Sequence, residues 1–430
     1  MSDTPWGDIC NRVDSCALSG AAAFFAGIPG AEILANGPLW CYFYALRRLE
    51  HTEYNMADRF HGSQPDNNAI VYGTESFLTE TVQRLVDTGH KPSVLFVENS
   101  CSISLIGDDV DGILRKMDLD FPTVAMDCGG LTGGFAEGWR KACLTLLKKV
   151  GTERMEARPA TVNLIGLTDY YFNGEADRKE IVRLLERSGY EVNVIPGCAA
   201  TRLGEYRHIG AASLNLVFHE ELGLDLAEEL EKQFGTPYLR VGLPYGVEGT
   251  RAWLERIGER LTPPAPEALE EELKEMHRYL TAWNNDYAMA WGGVHFDNVL
   301  VAAPGTHALC FSEALRREWV DTEELTVICQ NPVREQDYCT TADTVYTVGE
   351  DNRAIEEYMA GTDNVLVVGS SGESSNLWRR KDCRFISCNL AYPVKDEVLL
   401  TQVPFVGIRG AAHLQQRLWN AFMRYTMAEV

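Results

Sequence analysis

From Pro92 to Asp109 the chain reads PSVLFVENSCSISLIGDD. PSVLFV is short, apolar and bounded by turn residues, the pattern of a strand buried on both faces of a parallel sheet. Cys101 falls just past its C-terminal end, which is where open α/β sheets place their ligands. Two more cysteines lie upstream in similar turn-like settings. Cys16 opens CALSG (16–20) and Cys41 closes NGPLWC (36–41). Twenty-four residues separate the first pair and fifty-nine the second. Zinc fingers and ferredoxins instead use tight C-x-x-C pairs. Widely spaced single cysteines meet when each tops a different element of one α/β domain. Three thiolates converging in that way hold an iron–sulfur cluster with one corner left for another ligand.

The wider chain fits such a domain and repeats it. The helical pattern Phe77–Asp87 precedes PSVLFV, and PTVAM (122–126) reads as a second strand, followed by the loop DCGGLTGGFAEG (127–138) and a helix through Lys149. HGSQPDNN (61–68) reads as an exposed connection. A second run starts with TVNLIG (161–166), the amphipathic helix Asn173–Tyr190 and EVNVIP (191–196), then SLNLVF (213–218) and PYLRVG (237–242). A long helical pattern from Pro263 to Trp291 leads to a third run: VLVAA (299–303), LTVIC (325–329), TVYTV (344–348) and NVLVVG (364–369). Strands alternating with helical crossovers imply parallel sheets. The expected fold is therefore α/β with three Rossmann-like units, at 1–158, 159–262 and 263–430.

Composition narrows the partners. The 430 residues carry a formal net charge of −23, the wrong sign for binding nucleic acid or an anionic membrane. AAAFFAGIP (21–29) is too short to cross a bilayer, and MSDTPWGD has no basic stretch followed by an apolar core, so a cytoplasmic protein is expected. Twelve cysteines in such a chain point to thiols or metal ligands rather than to a disulfide framework. The glycine-rich loop at 129–138 lacks G-x-G-x-x-G, and G-x-x-x-x-G-K-[ST] occurs nowhere. The chain itself is therefore expected to bind no ATP, and the glycines read as a tight backbone path.

The three cysteine settings resemble the component 1 family of nitrogenases and nitrogenase-like reductases. There a first cysteine precedes a Gly-Ala-type segment and a second ends a His-Gly-Pro-x-Gly-Cys turn. The third opens Cys-x-x-x-x-Ile-Gly-Asp-Asp, which Cys101, Ile106, Gly107, Asp108 and Asp109 match. VYGTE (71–75) resembles the family's Val-Phe-Gly-Gly-Glu, whereas Asn36 and Trp40 replace the usual His and Gly of the turn. Towards the end, GSSG from Gly369, NLAYPV from Asn389 and VPFVGIRG (403–410) also resemble the family, with Ile408 in place of a Tyr. The resemblance spans essentially the whole chain.

It implies a catalytic subunit carrying an iron–sulfur cluster, [4Fe–4S] or P-cluster-like, on Cys16, Cys41 and Cys101. An ATP-hydrolysing iron protein would deliver the electrons. A second metallocofactor, and a second copy or paralogous subunit in a homodimer or heterotetramer, are further implications, because three cysteines leave a four-iron cluster one ligand short. The substrate would be an unsaturated small molecule or a tetrapyrrole. A metallocluster assembly scaffold and a cluster-free ligand-binding protein are the alternatives. In NLVFH (215–219), His219 stands near where nitrogenase proper has a cysteine, and so is a candidate metal ligand; a strand-end imidazole bonded to backbone is the plainer reading. Cys10, Cys128, Cys143, Cys198, Cys310, Cys329, Cys339, Cys383 and Cys388 read as core or surface thiols. Glu175, Asp177, Asp108 and Asp109 read as helix caps rather than acids of a mechanism.

Overall fold

The computed structural model describes residues 16–427 except 51, 54, 67, 335 and 336. Its strands fall into three sheets, and every strand pair among the described residues is parallel. The first sheet has the order β2-β1-β3-β4, from β1 (Ala31–Asn36), β2 (Phe60–Gly62), β3 (Val94–Asn99) and β4 (Thr123–Asp127). The second, β6-β5-β7-β8, uses β5 (Thr161–Ile165), β6 (Glu191–Val192), β7 (Leu214–Val217) and β8 (Tyr238–Arg240). The third runs β11-β10-β9-β12-β13, with β9 (His295–Ala303), β10 (Asp321–Cys329), β11 (Thr344–Thr347), β12 (Val365–Gly369) and β13 (Phe385–Asn389). Parallel strands need crossovers, and helices supply them on both faces, which is the α/β architecture expected from the alternating pattern.

The differences from the sequence reading have local causes. β1, β2 and β13 escaped it: AEILAN and FISCN mix polar and apolar residues, and β2 is three residues long. His61 belongs to β2, opposite Leu34, rather than to an exposed connection. EVNVIP forms only the two-residue β6, although Asn193 N–H still donates to Val162 O and Leu164 N–H to Val194 O. The helix expected from Pro263 starts at Glu270, because Pro263, Pro264 and Pro266 carry no amide donor and Ala265 N–H is directed to Ser188 O.

The second sheet shares its core with both neighbours. Ile165, Val194 and Val217 pack with Phe24, Phe96 and Trp139 of the first unit, whereas Leu164, Leu216 and Phe218 pack with Val301, Phe311 and Val327 of the third. Glycines permit the closest approach. Helix α1 (Ala17–Ala26) is buried along its whole length and crosses α2 (Phe135–Val150) where a Cβ on Gly20 would lie 1.9 Å from Phe135 O and one on Gly138 1.8 Å from Ala17 O. No side chain fits at either point. Asp177 is buried and accepts hydrogen bonds from Phe405 N (2.5 Å) and Val406 N (3.3 Å), tying the second unit to the C-terminal segment. Its role is this long-range tie, not helix capping. Burial, more than those two bonds relieve, raises the Asp177 pKa to about 7. Among the described residues no helix is long and apolar enough to cross a membrane.

Candidate functional site

The three sequence-selected cysteines all sit at the C-terminal edge of the first sheet, each at the start of a helix. Cys16 precedes α1 in extended conformation, and its carbonyl accepts from Ser19 and Gly20. Cys41 lies in the first turn of α3 (Leu39–Glu50), its N–H donating to Pro38 O at 3.0 Å. Cys101 opens α4 (Cys101–Ile106) two residues after β3 ends. Asn36, standing where the family's turn has His, anchors the Cys41 turn to the Cys101 strand. Its Nδ2 donates to Asn99 Oδ1 at 3.0 Å, and its Oδ1 accepts from Ser63 Oγ at 2.8 Å.

The loop after β4 closes this junction. A Cβ on Gly129 would lie 2.8 Å from Cys101 Sγ and 2.3 Å from its backbone N. One on Gly130 would lie 3.2 Å from Cys16 Cβ and 3.8 Å from Cys101 Sγ. Both cysteines thus reach the same point above two glycines, a cradle that any side chain on the loop would fill. Cys41 is electrostatically coupled to the other two. Burial raises its thiol pKa first, and the charges of Cys16 and Cys101 raise it further. Among the described residues no trio of His, Cys, Asp or Glu is gathered tightly enough for a single metal ion. The donor set, soft thiolates in an open cradle, fits a multi-iron group. Cys16 is exposed and the other two half-buried, and apolar side chains rim them: Leu39, Trp40, Tyr44, Leu105 and Leu131 are all exposed.

Cys128 stands behind the cradle, fully buried, its thiol donating weakly to Asn99 O at 3.8 Å. Burial pushes its pKa well up, as do nearby Glu98 and Cys16. Cys143, Cys198, Cys310 and Cys329 are buried, and Cys339, Cys383 and Cys388 half-buried; Cys10 lies outside the described residues. The acidic pair after Cys101 is structural. Asp108 accepts from Thr74 N and Oγ1 (2.7 and 2.6 Å), and Asp109 caps the next helix through Gly112 N at 2.9 Å.

His219 is placed elsewhere, before α5 (Glu220–Phe234) in the second unit. Its Nδ1 lies 3.4 Å from Glu221 Oε1, and its ring meets Tyr171 edge-on at 4.9 Å. Glu221 also accepts from Thr306 Oγ1 at 2.6 Å. Burial alone would raise the Glu221 pKa, but the imidazole and the hydroxyl outweigh it and hold the carboxyl below its ordinary range. His307, in the first turn of α6 (Gly305–Ala314) after β9, lies 5.8 Å from His219 and stacks on Tyr245. The Arg48 guanidinium, two turns beyond Cys41 on α3, covers the rings of Tyr392 (4.4 Å) and Phe135 (5.2 Å). Arg48, Tyr171, His307 and Tyr392, with Phe172, Pro304, Leu390 and Ala391, line a narrow cleft of about 10 Å³ where the three units meet, room for about one water. Phe135 links the two places: it follows the glycine loop and stacks on Tyr171 at 5.8 Å. Sequence reading missed Arg48, Glu221 and His307. Arg48's placement seven residues after Cys41, on the same helical face, was the one available signal.

Fold and junction together define an α/β protein of three parallel sheets with a thiol cradle at one sheet edge and a narrow, largely aromatic cleft between units. The chain belongs to the nitrogenase component 1 type oxidoreductase family, whose model matches residues 16–423. It is 26% identical over 251 residues to the nitrogenase iron-molybdenum cofactor biosynthesis protein NifE of Clostridium pasteurianum, covering 57% of this chain and 54% of that protein. To a subunit of the light-independent protochlorophyllide reductase of Methylobacterium sp. (strain 4-46) it is 26% identical, over 77% of this chain and 65% of the relative. The matched region thus spans between half and two thirds of these relatives. Among solved structures, one titled nitrogenase Cp1 at pH 6.5 superposes with a TM-score of 0.77 at 17% identity, covering 100% of this chain and 95% of that one.

Proposed function

We propose that this chain is a component 1-type subunit of a nitrogenase-like reductase, with Cys16, Cys41 and Cys101 as the ligands of an iron–sulfur cluster. The observation that carries the reading is the convergence of Cys16 and Cys101 on Gly129 and Gly130, with Cys41 coupled to both. When bound, the cluster supplies one-electron transfer at low potential. The protein's own residues do the rest. Gly129 and Gly130 keep the cradle open, and Asn36 fixes two of its walls relative to each other. The apolar rim formed by Leu39, Trp40, Tyr44 and Leu131 offers a surface for a second subunit, which would complete the coordination and exclude water. His219 is left out of the ligand set, since its Nδ1 faces Glu221.

Electrons would come from an ATP-hydrolysing iron protein, and the −23 charge suits a partner with a basic docking face. The substrate would be an unsaturated small molecule or a tetrapyrrole. A metallocluster assembly scaffold is the second reading, favoured by the open edge of the cradle and by the name of one relative. Turnover separates the two. Mixed anaerobically with its iron protein, ATP and a reductant, the reductase oxidises that partner continuously when substrate is present. A scaffold instead releases its cluster to an acceptor protein without sustained ATP use.

A further inference from the structure

The helix that leads into the third unit lies almost wholly at the surface. α7 (Glu270–Trp291) has 22 residues, of which only Leu273 and Leu280 are buried. Its second half, TAWNNDYAMAW (281–291), holds one charged residue, Asp286, in a chain of −23. An exposed helix normally turns charges to the water, whereas α7 turns rings. Tyr279, Trp283, Tyr287 and Trp291 recur every four residues and so form one ridge along the helix. Tyr279 is 53% exposed, Trp283 44% and Trp291 38%. The rings are ordered against one another, Tyr279 edge-on to Trp283 at 6.2 Å and Trp283 stacked on Tyr287 at 5.5 Å. α8 (Gly407–Met427), which has no Asp or Glu, runs beside α7: Gln415 Nε2 donates to Asn284 Oδ1 at 3.0 Å and Trp419 Nε1 to the same atom at 2.8 Å. Between the two helices lies a groove of about 360 Å³ with no charged residue in its lining.

We infer that this face binds a second copy of the chain about a two-fold axis, α7 packed antiparallel on α7. The ridge is its own complement, because its four rings are spaced symmetrically about the level of Asn285. A two-fold at that level sets Tyr279 against the partner's Trp291 and Trp283 against the partner's Tyr287. That is an isologous contact, in which each residue pair occurs twice, and rows spaced by four interlock at a crossing of about −50°. Two copies at −23 repel over most of their surface, so they meet most easily where carboxylates are scarce. The remaining charges are complementary. Glu275 lies one turn before Tyr279, and Arg424 one turn after Asn420 on α8; both are exposed, and neither forms an ion pair among the described residues. The antiparallel contact brings the Glu275 end of one copy to the Arg424 end of the other. The area suffices as well. At roughly 200 Å² per ring side chain, Tyr279, Trp283 and Trp291 leave about 300 Å² open on each copy. With the exposed Gln416, Asn420 and Arg424 beside them, the pair reaches the roughly 1,000 Å² that a specific interface needs.

This face uses neither the three cysteines nor the apolar rim around them, so its failure and failure of the cluster reading are separate events. The test is sedimentation of the purified full-length chain, kept anaerobic, over a range of concentrations. Trp283→Glu should halve the particle mass, from dimer to monomer, or from tetramer to dimer if the cradle rim is paired too. Its circular dichroism should match wild type, and self-association should weaken by about thirtyfold or more, as for an interface hot spot. Tyr279→Lys and Trp291→Glu should each weaken association. The double variant Tyr279→Lys/Trp291→Glu should recover part of the loss, because the two-fold sets the new lysine against the partner's new glutamate. A merely structural role for these exposed rings would show no such recovery. A wild-type chain that is monomeric at every concentration overturns the inference, as does a mass that Trp283→Glu and both single charge variants leave unchanged. The charge variants decide the point if Trp283→Glu fails to fold, and association lost in both with no recovery in the double variant overturns the antiparallel register.

Discussion

The cysteine junction and the inter-unit cavity are built on opposite principles. The junction is open: three thiols at one sheet edge, two of them against bare glycine backbone, with exposed Trp40, Tyr44 and Leu131 around them. The cavity is nearly filled, lined by one residue of the first unit, two of the second and five of the third, with aromatic rings among them. An open cradle suits a large group loaded from outside and finished by a partner, whereas the cavity, at about 10 Å³, is packed almost shut and holds the units together. Phe135 touches both.

The comparison breaks most completely at the loop. Gly129→Val would place a branched side chain where even a Cβ falls 2.3 Å from Cys101 N. The expected cost is about 3 kcal/mol or more, with loss of iron binding, read by thermal unfolding and metal analysis. A Gly129→Val protein of wild-type stability would mean the loop is not packed against Cys101 as described.

Next in size is a pH effect on the tie that closes the units together. Asp177 has a folded pKa of about 7, against roughly 3.9 when unfolded. The native state therefore binds the proton more tightly, and stability is full below the unfolded value and lost as pH rises towards 7. Asp177→Asn keeps an oxygen for the Phe405 and Val406 amides and removes the charge. It should unfold at a higher temperature than wild type at pH 8, by about 2 kcal/mol in stability, and lose that advantage at pH 4. A gain of equal size at both pH values would contradict the buried carboxyl as its source.

The smallest expected effect sharpens the contrast among cysteines. Cys143→Ala removes a buried thiol from the α1–α2 core, so about 1 kcal/mol of stability should go, and the iron content should not change. Loss of iron in Cys143→Ala, measured beside Cys101→Ala, would show that the ligand set is wrong.

How much of this was legible in the sequence follows from the same contrast. The parallel strands announce themselves by short apolar runs, and β3, β9, β10 and β12 were found for that reason. Helix α1 was not found, because ten residues buried on every side carry no 3.6-residue periodicity. The three cysteines stood out because each setting is local: a turn, a glycine, a strand end. The cavity is spelled by residues far apart in the chain, Arg48, Tyr171, His307 and Tyr392, and no local pattern marks any of them. Glu221 looked like the ordinary acidic first turn of a helix, and only the packing of the second unit on the third shows Thr306 and His219 meeting it.

The measurement that tests the central claim most directly is iron and acid-labile sulfide per chain after anaerobic purification, for wild type and Cys101→Ala side by side. The account predicts iron and sulfide in near-equal amounts on the wild-type protein, with charge-transfer absorbance in the visible range, and neither on a folded Cys101→Ala. A wild-type chain that holds no iron under those conditions, or a Cys101→Ala chain that retains the full complement, would contradict it.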